Sequence, residues 1–188
     1  QYDTFLNVVG IDRVIESVKS CWAGLWSERS LAYQVSQGGD LSAQFMGVLI
    51  QRQVDAHVAG VLFTLNPLAA QEEEMVIEAA WGLGQAVVSG CEDPDTYIVH
   101  TETARILSHH RSQQRMMVVL APGGGVGQAP LPQKWRERPV LDDALLKRLV
   151  KLGHSAEAVF GYPQDIEWAV AKLGSWAEDR ETAVEEGL

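Results

Sequence analysis

The fold is decided by residues 58–80, which read VAGVLFTLNPLAAQEEEMVIEAA. Two runs of β-branched and aliphatic residues, 58–64 and 75–80, flank a connection that contains Asn66, Pro67 and three consecutive glutamates. Apolar runs of this length between turn-forming residues are typical of buried strands. Because the connection is short, it favours an antiparallel arrangement. We therefore predict an antiparallel strand pair over this stretch.

Further strands are predicted on both sides of the pair. The aliphatic run 45–50 indicates a preceding buried strand, 97–100 and 104–108 indicate a hairpin, and 116–120 indicates another strand. Residues 165–171 alternate between apolar and polar side chains, as in a strand that has one face on a core.

Apolar residues recur at helical spacing in two regions. The first region, 11–37, predicts either one amphipathic helix or a helix pair, with Gly24 as the junction in the second case. The second region begins at Asp142, which is expected to cap its helix, and stops at Gly161. The apolar stripe of this second helix is expected to comprise Leu145, Leu146, Leu149, Leu152, Ala156 and Val159. Together the elements predict an α+β fold with antiparallel sheets and flanking helices.

Two segments favour irregular structure. Between residues 121 and 139 the chain carries four prolines and a glycine-rich run at 123–127, which predicts an exposed connection. The glycine run lacks the Lys-Ser or Lys-Thr of a phosphate-binding loop, so a flexible linker is the preferred interpretation. From Ser175 onward the chain is acidic and weakly patterned, and we expect it to be loosely held.

Composition excludes several classes of function. The chain has 188 residues, 46% of them hydrophobic, and its 15 basic and 25 acidic residues give a formal net charge of −10. An acidic chain argues against a nucleic-acid binder, and no apolar run approaches the ~20 residues that span a bilayer. The two cysteines, Cys21 and Cys91, form no metal-binding pair, so reduced thiols and a cytoplasmic location are expected.

Asp165 and Glu167 form the sharpest candidate site. Alternation along a strand places both carboxylates on one face, about 7 Å apart. Two such carboxylates can share a hard divalent cation whose remaining ligands are phosphate oxygens. The alternative interpretation is a polar strand face that is simply exposed to water.

Two further stretches carry weaker signals. Glu78 lies within an apolar strand, so its carboxylate is expected either to belong to a site or to pair with an Arg or Lys. Gln51, Arg52, Gln53 and Val54 follow a predicted strand, where free backbone groups can pair with an adenine edge or simply form a solvated terminus. Trp22 and Trp26 share one helical face and are expected to pack in a core or an interface.

Six stretches, in order along the chain, resemble one family: 1–8 (QYDTFLNV), 21–29 (CWAGLWSER), 50–54 (IQRQV), 59–67 (AGVLFTLNP), 77–84 (IEAAWGLG) and 163–168 (PQDIEW). They are similar to the nucleotide-binding domain of phosphoenolpyruvate synthase and pyruvate phosphate dikinase. The resemblance runs from Gln1 to about Ala171, and residues 172–188 form an unmatched acidic tail.

The resemblance implies an ATP-grasp fold that holds ATP and Mg²⁺ between two lobes. In the family this domain phosphorylates a histidine on a separate swivelling domain, which carries the group to the site where pyruvate becomes phosphoenolpyruvate. Thr4 then falls in the loop that touches the phosphates, and Gln51, Arg52, Gln53 and Val54 fall at the adenine hinge. Asp165 and Glu167 fall at the metal and phosphate end, and we expect them to face the hinge across the width of one nucleotide.

Two departures from the family pattern shape the expectations. The phosphate-binding Lys and Arg of the family lie upstream of the equivalent of Gln1, so the chain is expected to be the C-terminal portion of the domain, with upstream residues missing. A Leu-Gln-x-Arg strand that contacts ATP in the family has no equivalent in residues 172–188. The isolated chain is therefore expected to bind ATP weakly or not at all and to catalyse no transfer. Three alternatives stay open: a synthase module, a rifampicin-type antibiotic phosphotransferase domain and a non-catalytic nucleotide-sensing module.

Overall fold

The computed structural model describes residues 2–37, 45–68, 73–90 and 92–171. Within these ranges the helices and strands follow one another in this order: α1 (Ile11–Gly24), α2 (Glu28–Ser36), β1 (Ala56–Phe63), β2 (Glu74–Trp81), α3 (Gln85–Val88), β3 (Asp95–His100), β4 (Ile106–His110), β5 (Met116–Leu120), β6 (Val126–Pro130), α4 (Gln133–Arg136), α5 (Asp143–Phe160) and β7 (Asp165–Ala171). The acidic tail, 172–188, lies outside the described residues.

Five of the strands form an antiparallel sheet in the order β4-β3-β2-β1-β7. The predicted pair over residues 58–80 is its centre, as β1 and β2, and the predicted hairpin is β3 and β4. β5 and β6 form a separate two-stranded sheet. The α+β class with antiparallel sheets and flanking helices is thus confirmed.

One face of the large sheet carries the core. Leu62, Ile77 and Tyr97 lie in one row across β1, β2 and β3 because they are register partners, and all three are buried. Leu146 and Leu149 of α5 belong to the same buried cluster. An antiparallel sheet with one packed face leaves its other face available for a site.

Helix α5 begins and ends as its sequence predicts, but its buried stripe is different. The Asp142 side chain accepts a hydrogen bond from the Leu145 N–H, and Gly161 ends the helix in the left-handed conformation. Leu152 and Val159 of the predicted stripe are exposed, whereas Val150 and Gly153 are buried. The stripe prediction was wrong at these positions because the buried arc of the helix is rotated toward Val150 and Gly153, where the lack of a side chain at Gly153 lets Leu62 and Thr64 approach closely.

The predicted strand 45–50 is also wrong. These residues form no strand, and Phe45 and Leu49 are 92% and 86% exposed. A strand needs a hydrogen-bonded neighbour, and within the described ranges the sheet order contains no strand upstream of β1.

The connection 121–139 is more ordered than its composition predicts. It contains β6 and the short helix α4, and Trp135 of α4 is buried in the core. Gly123, Gly124 and Gly125 all have positive φ and form the tight turn between β5 and β6. The flexible-linker interpretation was therefore wrong, since the glycines meet the backbone demands of a turn.

The chain divides into two compact units. Unit 1 comprises 1–53 and 120–126, and unit 2 comprises 54–119 and 127–188. In unit 1 the predicted helix pair is present as α1 and α2, with Gly24 at the end of α1. Trp22 and Trp26 are 50% and 59% exposed, so the core alternative is wrong for them and packing in an interface stays a prediction.

Candidate functional site

The face of the large sheet opposite the core brings three acidic residues onto one surface. Glu167 of β7 is the register partner of Val61 in β1, and Val61 is the partner of Glu78 in β2. Register partners in an antiparallel sheet project to the same side. We call this surface, defined by Asp165, Glu167 and Glu78, the carboxylate face.

Asp165 joins this face one row away. It is the register partner of Phe63, two residues before Glu167, and both acids are exposed while Ile166 and Trp168 between and after them pack against the core. The predicted placement of Asp165 and Glu167 on one strand face is therefore confirmed. Two residues of strand separate them by about 7 Å.

The three carboxylates have no partners within the described residues. Asp165, Glu167 and Glu78 take part in no side-chain hydrogen bond and no ion pair there. Glu78 is half-buried, and its neighbours Val61, Val76 and Ala80 on the same face of the sheet are buried. An uncompensated charge is costly in such surroundings. The described residues supply no Arg or Lys partner for Glu78, one of the two alternatives that its sequence context left open.

The spacing of the acids limits what they can bind by themselves. Glu167 and Glu78 lie on strands separated by β1, so their Cβ atoms are about 10 Å apart. Within the described residues, no group of three or more His, Cys, Asp or Glu side chains is close enough to hold a metal ion. A cation on this face would have to take most of its ligands from elsewhere, as Mg²⁺ does when it binds to nucleotide phosphates.

The surface beside the acids, two residues along β1 and β2, is apolar and partly covered. Ala59 and Ala80 are buried there, and Gly84, next to the short helix α3, lies against Ala59. Gly82 has φ +90°, and a Cβ on it would lie 2.5 Å from the Val118 carbonyl oxygen. This glycine therefore allows a close backbone approach to β5 of the same chain.

Sequence reasoning missed two members of this surface. Thr96 of β3 is the register partner of Glu78, and His110 of β4 is the partner of Thr96. Both therefore extend the row that contains Glu167. Only the register of five paired strands reveals this, and no local pattern encodes it.

The remaining predicted residues lie mostly in unit 1. Thr4 is exposed in an irregular segment before α1, and Gln51, Arg52 and Gln53 are exposed before β1. Val54 begins unit 2 and is 39% exposed. The expectation that this hinge faces Asp165 and Glu167 stays a prediction.

None of the helices within the described ranges combines the length and the apolar character needed to cross a membrane.

Comparison with known proteins places the chain among nucleotide-binding domains. The family model described as the pyruvate phosphate dikinase AMP/ATP-binding domain matches residues 1–178. A probable phosphoenolpyruvate synthase of Pyrococcus horikoshii and the phosphoenolpyruvate synthase of Pyrococcus furiosus are each 40% identical over 178 residues, which is 92% of this chain and 22% of theirs. A rifampicin phosphotransferase of a Streptomyces species is 39% identical over 171 residues, 90% of this chain and 19% of its own length.

The chain spans about a fifth of the length of these curated relatives. The match nevertheless covers nearly all of the chain itself and includes both units. The chain belongs to the pyruvate phosphate dikinase AMP/ATP-binding domain family.

Proposed function

We propose that the chain is the ATP-binding portion of a phosphoenolpyruvate synthase-like phosphotransferase. Residues 1–188 would form the C-terminal portion of an ATP-grasp domain. The observation that supports this proposal is the carboxylate face: three acidic side chains that have no partner among the described residues, on one side of a sheet, in a chain of an AMP/ATP-binding family. Partial burial of an unpaired carboxylate such as Glu78 is unfavourable for folding, so a cationic ligand is the simplest reason for it.

The residues present fit Mg²⁺ and ATP. Asp165 and Glu167 would hold the cation, and Glu78 would complete the acidic surface around it. Bound Mg²⁺ neutralises charge on the phosphates during phosphoryl transfer. Thr4 would contact the phosphates, and Gln51 to Val54 would bind the adenine edge as the hinge before β1.

The reaction of the longer polypeptide would convert ATP, pyruvate and water to phosphoenolpyruvate, AMP and phosphate. A phosphohistidine on a separate swivelling domain of the same polypeptide would carry the phosphoryl group between sites. The relatives are four to five times longer than the matched region, which leaves room for such domains. A cytoplasmic location belongs to the same proposal.

The isolated chain is proposed to be inactive. Its carboxylate face supplies negative charge, and the cationic side chains that a triphosphate needs would come from residues outside it. Calorimetry with Mg²⁺ and ATP should show weak binding or none. Tight binding by the isolated chain would contradict this part of the proposal.

Glu167→Gln in the longer phosphotransferase tests the proposed metal role. Removing the charge keeps the size of the side chain, so Mg²⁺-dependent phosphorylation of the enzyme by ATP should fall by about tenfold or more, and the Mg²⁺ concentration for half-maximal rate should rise. Because Glu167 is exposed and forms no ion pair in the described part of the chain, the melting temperature should stay nearly constant.

Glu102→Gln is the matched control for this experiment. Glu102 is also exposed, but it lies in the turn between β3 and β4, away from the carboxylate face. Its substitution should leave the rate unchanged. An unaltered rate in Glu167→Gln would remove Glu167 from the proposed role.

A rifampicin phosphotransferase is the second candidate function, favoured by the relatives of that name at 39% and 40% identity. The two candidates share this domain and differ in the final acceptor. Incubating the longer polypeptide with ATP and either pyruvate or rifampicin, and identifying the phosphorylated product, separates them.

A further inference from the structure

The glycine turn between β5 and β6 is hydrogen-bonded to the segment that carries Thr4. We define the glycine turn as residues 121–125, which read APGGG. The Asn7 side chain donates from Nδ2 to the carbonyl oxygens of Ala121 (2.9 Å) and Gly125 (2.8 Å). The Gly125 N–H in turn donates to the Asn7 carbonyl oxygen, at 3.0 Å. One asparagine therefore binds both ends of the turn.

A second contact strengthens this attachment. Arg13, in the first turn of α1, donates from Nη1 to the Gly123 carbonyl oxygen at 3.0 Å. Gly124 has φ +118°, and a Cβ on it would lie 3.1 Å from Arg13 Nη1 and 3.2 Å from the Asn7 carbonyl oxygen. The turn is thus built around Asn7 and Arg13, and a side chain at Gly124 would press on both.

The backbone on the other side of the contact is also specialised. Asn7 has φ +51°, a left-handed conformation that asparagine adopts more readily than most residues. Asparagine therefore serves twice here, by its backbone conformation and by its amide donors. Such a combination of a rare φ and three hydrogen bonds holds the chain at one position.

Thr4 lies between this attachment and a second one. On the other side of Thr4, the Cys21 thiol of α1 donates to the Asp3 carbonyl oxygen at 3.8 Å, and the Ser30 hydroxyl of α2 lies 3.5 Å from the Tyr2 hydroxyl. Thr4 itself is exposed and takes part in no side-chain hydrogen bond within the described residues. The chain on both sides of Thr4 is held by hydrogen bonds while the Thr4 side chain is open to solvent, so this side chain is available to contact a ligand.

We propose that Asn7 and the glycine turn are positioning elements that hold Thr4 where it contacts the phosphates of the nucleotide. The inference rests on the proposed function, which assigns the phosphate contact to Thr4. A loop that is already fixed loses less conformational entropy when the ligand binds. The resulting gain in affinity concerns only the part of the ligand that the loop contacts. Loosening the loop should therefore weaken recognition of phosphates and spare recognition of the nucleoside.

Asn7→Asp is the sharpest test because it preserves size and tolerance of positive φ but removes both amide donors. Its carboxylate would face two carbonyl oxygens. In this chain, amide hydrogen exchange in residues 2–9 should become about tenfold faster. In the longer phosphotransferase, the KM for ATP should rise about tenfold, which corresponds to the loss of one or two hydrogen bonds, while inhibition by adenosine changes less than twofold.

Gly124→Ala provides a second variant that leaves Asn7 intact. It should likewise raise the KM for ATP about tenfold and change inhibition by adenosine less than twofold. Gly127→Ala is the matched control in the same hairpin. Gly127 has ordinary φ, and a Cβ there meets no atom within 4 Å, so this variant should behave as the wild type.

Four outcomes overturn the inference. Unchanged exchange in residues 2–9 of Asn7→Asp would show that the turn does not hold the segment. Equal weakening of ATP and adenosine would indicate general damage to the fold. If Thr4→Ala raises the KM for ATP and Asn7→Asp does not, the inference alone is wrong; if Thr4→Ala has no effect, the proposed phosphate contact is wrong and the inference falls with it.

Discussion

Asp95 is a buried carboxylate whose hydrogen bonds stabilise the fold. Its side chain is 2% exposed and accepts hydrogen bonds from the backbone N–H groups of Ser112 and Val140 and from the Tyr97 hydroxyl. Satisfying the oxygens in this way offsets the cost of burying the charge. Glu78, by contrast, has no such partner within the described residues. The comparison supports a ligand-binding role for Glu78.

Tyr97 in the same network predicts a pH dependence of stability. Burial raises the pKa of the Tyr97 hydroxyl well above its usual range, and the neighbouring Asp95 carboxylate raises it further. Above about pH 10 an unfolded tyrosine loses its proton while the folded one keeps it, so the free energy of unfolding should fall as pH rises through this window. In Tyr97→Phe the decrease in unfolding free energy at alkaline pH should be smaller. Urea unfolding at pH 8 to 11 measures it.

Tyr162→Phe is the control for this pH series. Tyr162 is 63% exposed, so its removal should leave the slope of stability against pH as it is in the wild type. An identical alkaline slope in wild type and Tyr97→Phe would contradict the assignment.

At the scale of elements, Gly60 shows how tightly neighbouring strands pack. It lies in β1, between β2 and β7, and its register partners are Ala79 of β2 on one side and Trp168 of β7 on the other. A Cβ at this position would lie 1.8 Å from the Glu78 carbonyl oxygen and 2.8 Å from Trp168 Cζ2. The Trp168 ring therefore packs across the space that the missing side chain leaves.

Gly60→Ala should consequently destabilise the sheet. The Glu78 carbonyl belongs to the backbone of β2 and cannot move without disturbing the strand pairing, so the expected loss is about 3 kcal/mol or more of unfolding free energy. Urea unfolding followed by tryptophan fluorescence measures it. Gly127→Ala in β6, where the added Cβ meets nothing within 4 Å, should cost far less, and similar values for the two variants would refute the packing argument.

Local patterns predicted most of the elements, and the misses share one cause. β1, β2, β7 and α5 were foreseen because alternation, helical spacing and caps are properties of neighbouring residues. The run 45–50 and the glycine turn were misjudged because their conformations depend on partners distant in sequence. Asn7, for example, binds Gly125 across 118 positions.

At the scale of the whole molecule, the two units differ in how much they bury. Within the described residues of unit 1, only Leu25 and Gln34 are buried, and α1 buries none. Unit 2 contains the large sheet, α5 and the buried cluster between them. Because hydrophobic burial is the main source of stability, unit 2 should be the more stable unit.

Native-state hydrogen exchange should reveal this difference. Amides of α1 and α2 are expected to exchange about 100-fold faster or more than those of β1, β2 and β3, because local unfolding of lower free energy is enough to expose them. The measurement is the protection factor of each amide by NMR at pH 7. Equal protection in the two units would show that they unfold as one.

The sequence by itself determined the α+β class, the central strand pair, the capped helix and the shared face of Asp165 and Glu167, because each depends on residues close together in the chain. Only the tertiary structure decided that Glu78 lies on that same face and that Asn7 holds the glycine turn. β7 pairs with β1 about a hundred residues earlier, and such pairing is selected by the packing of the whole sheet. Strand register between distant segments has no local signature, which is why the surface around Glu167 emerged only from the folded chain.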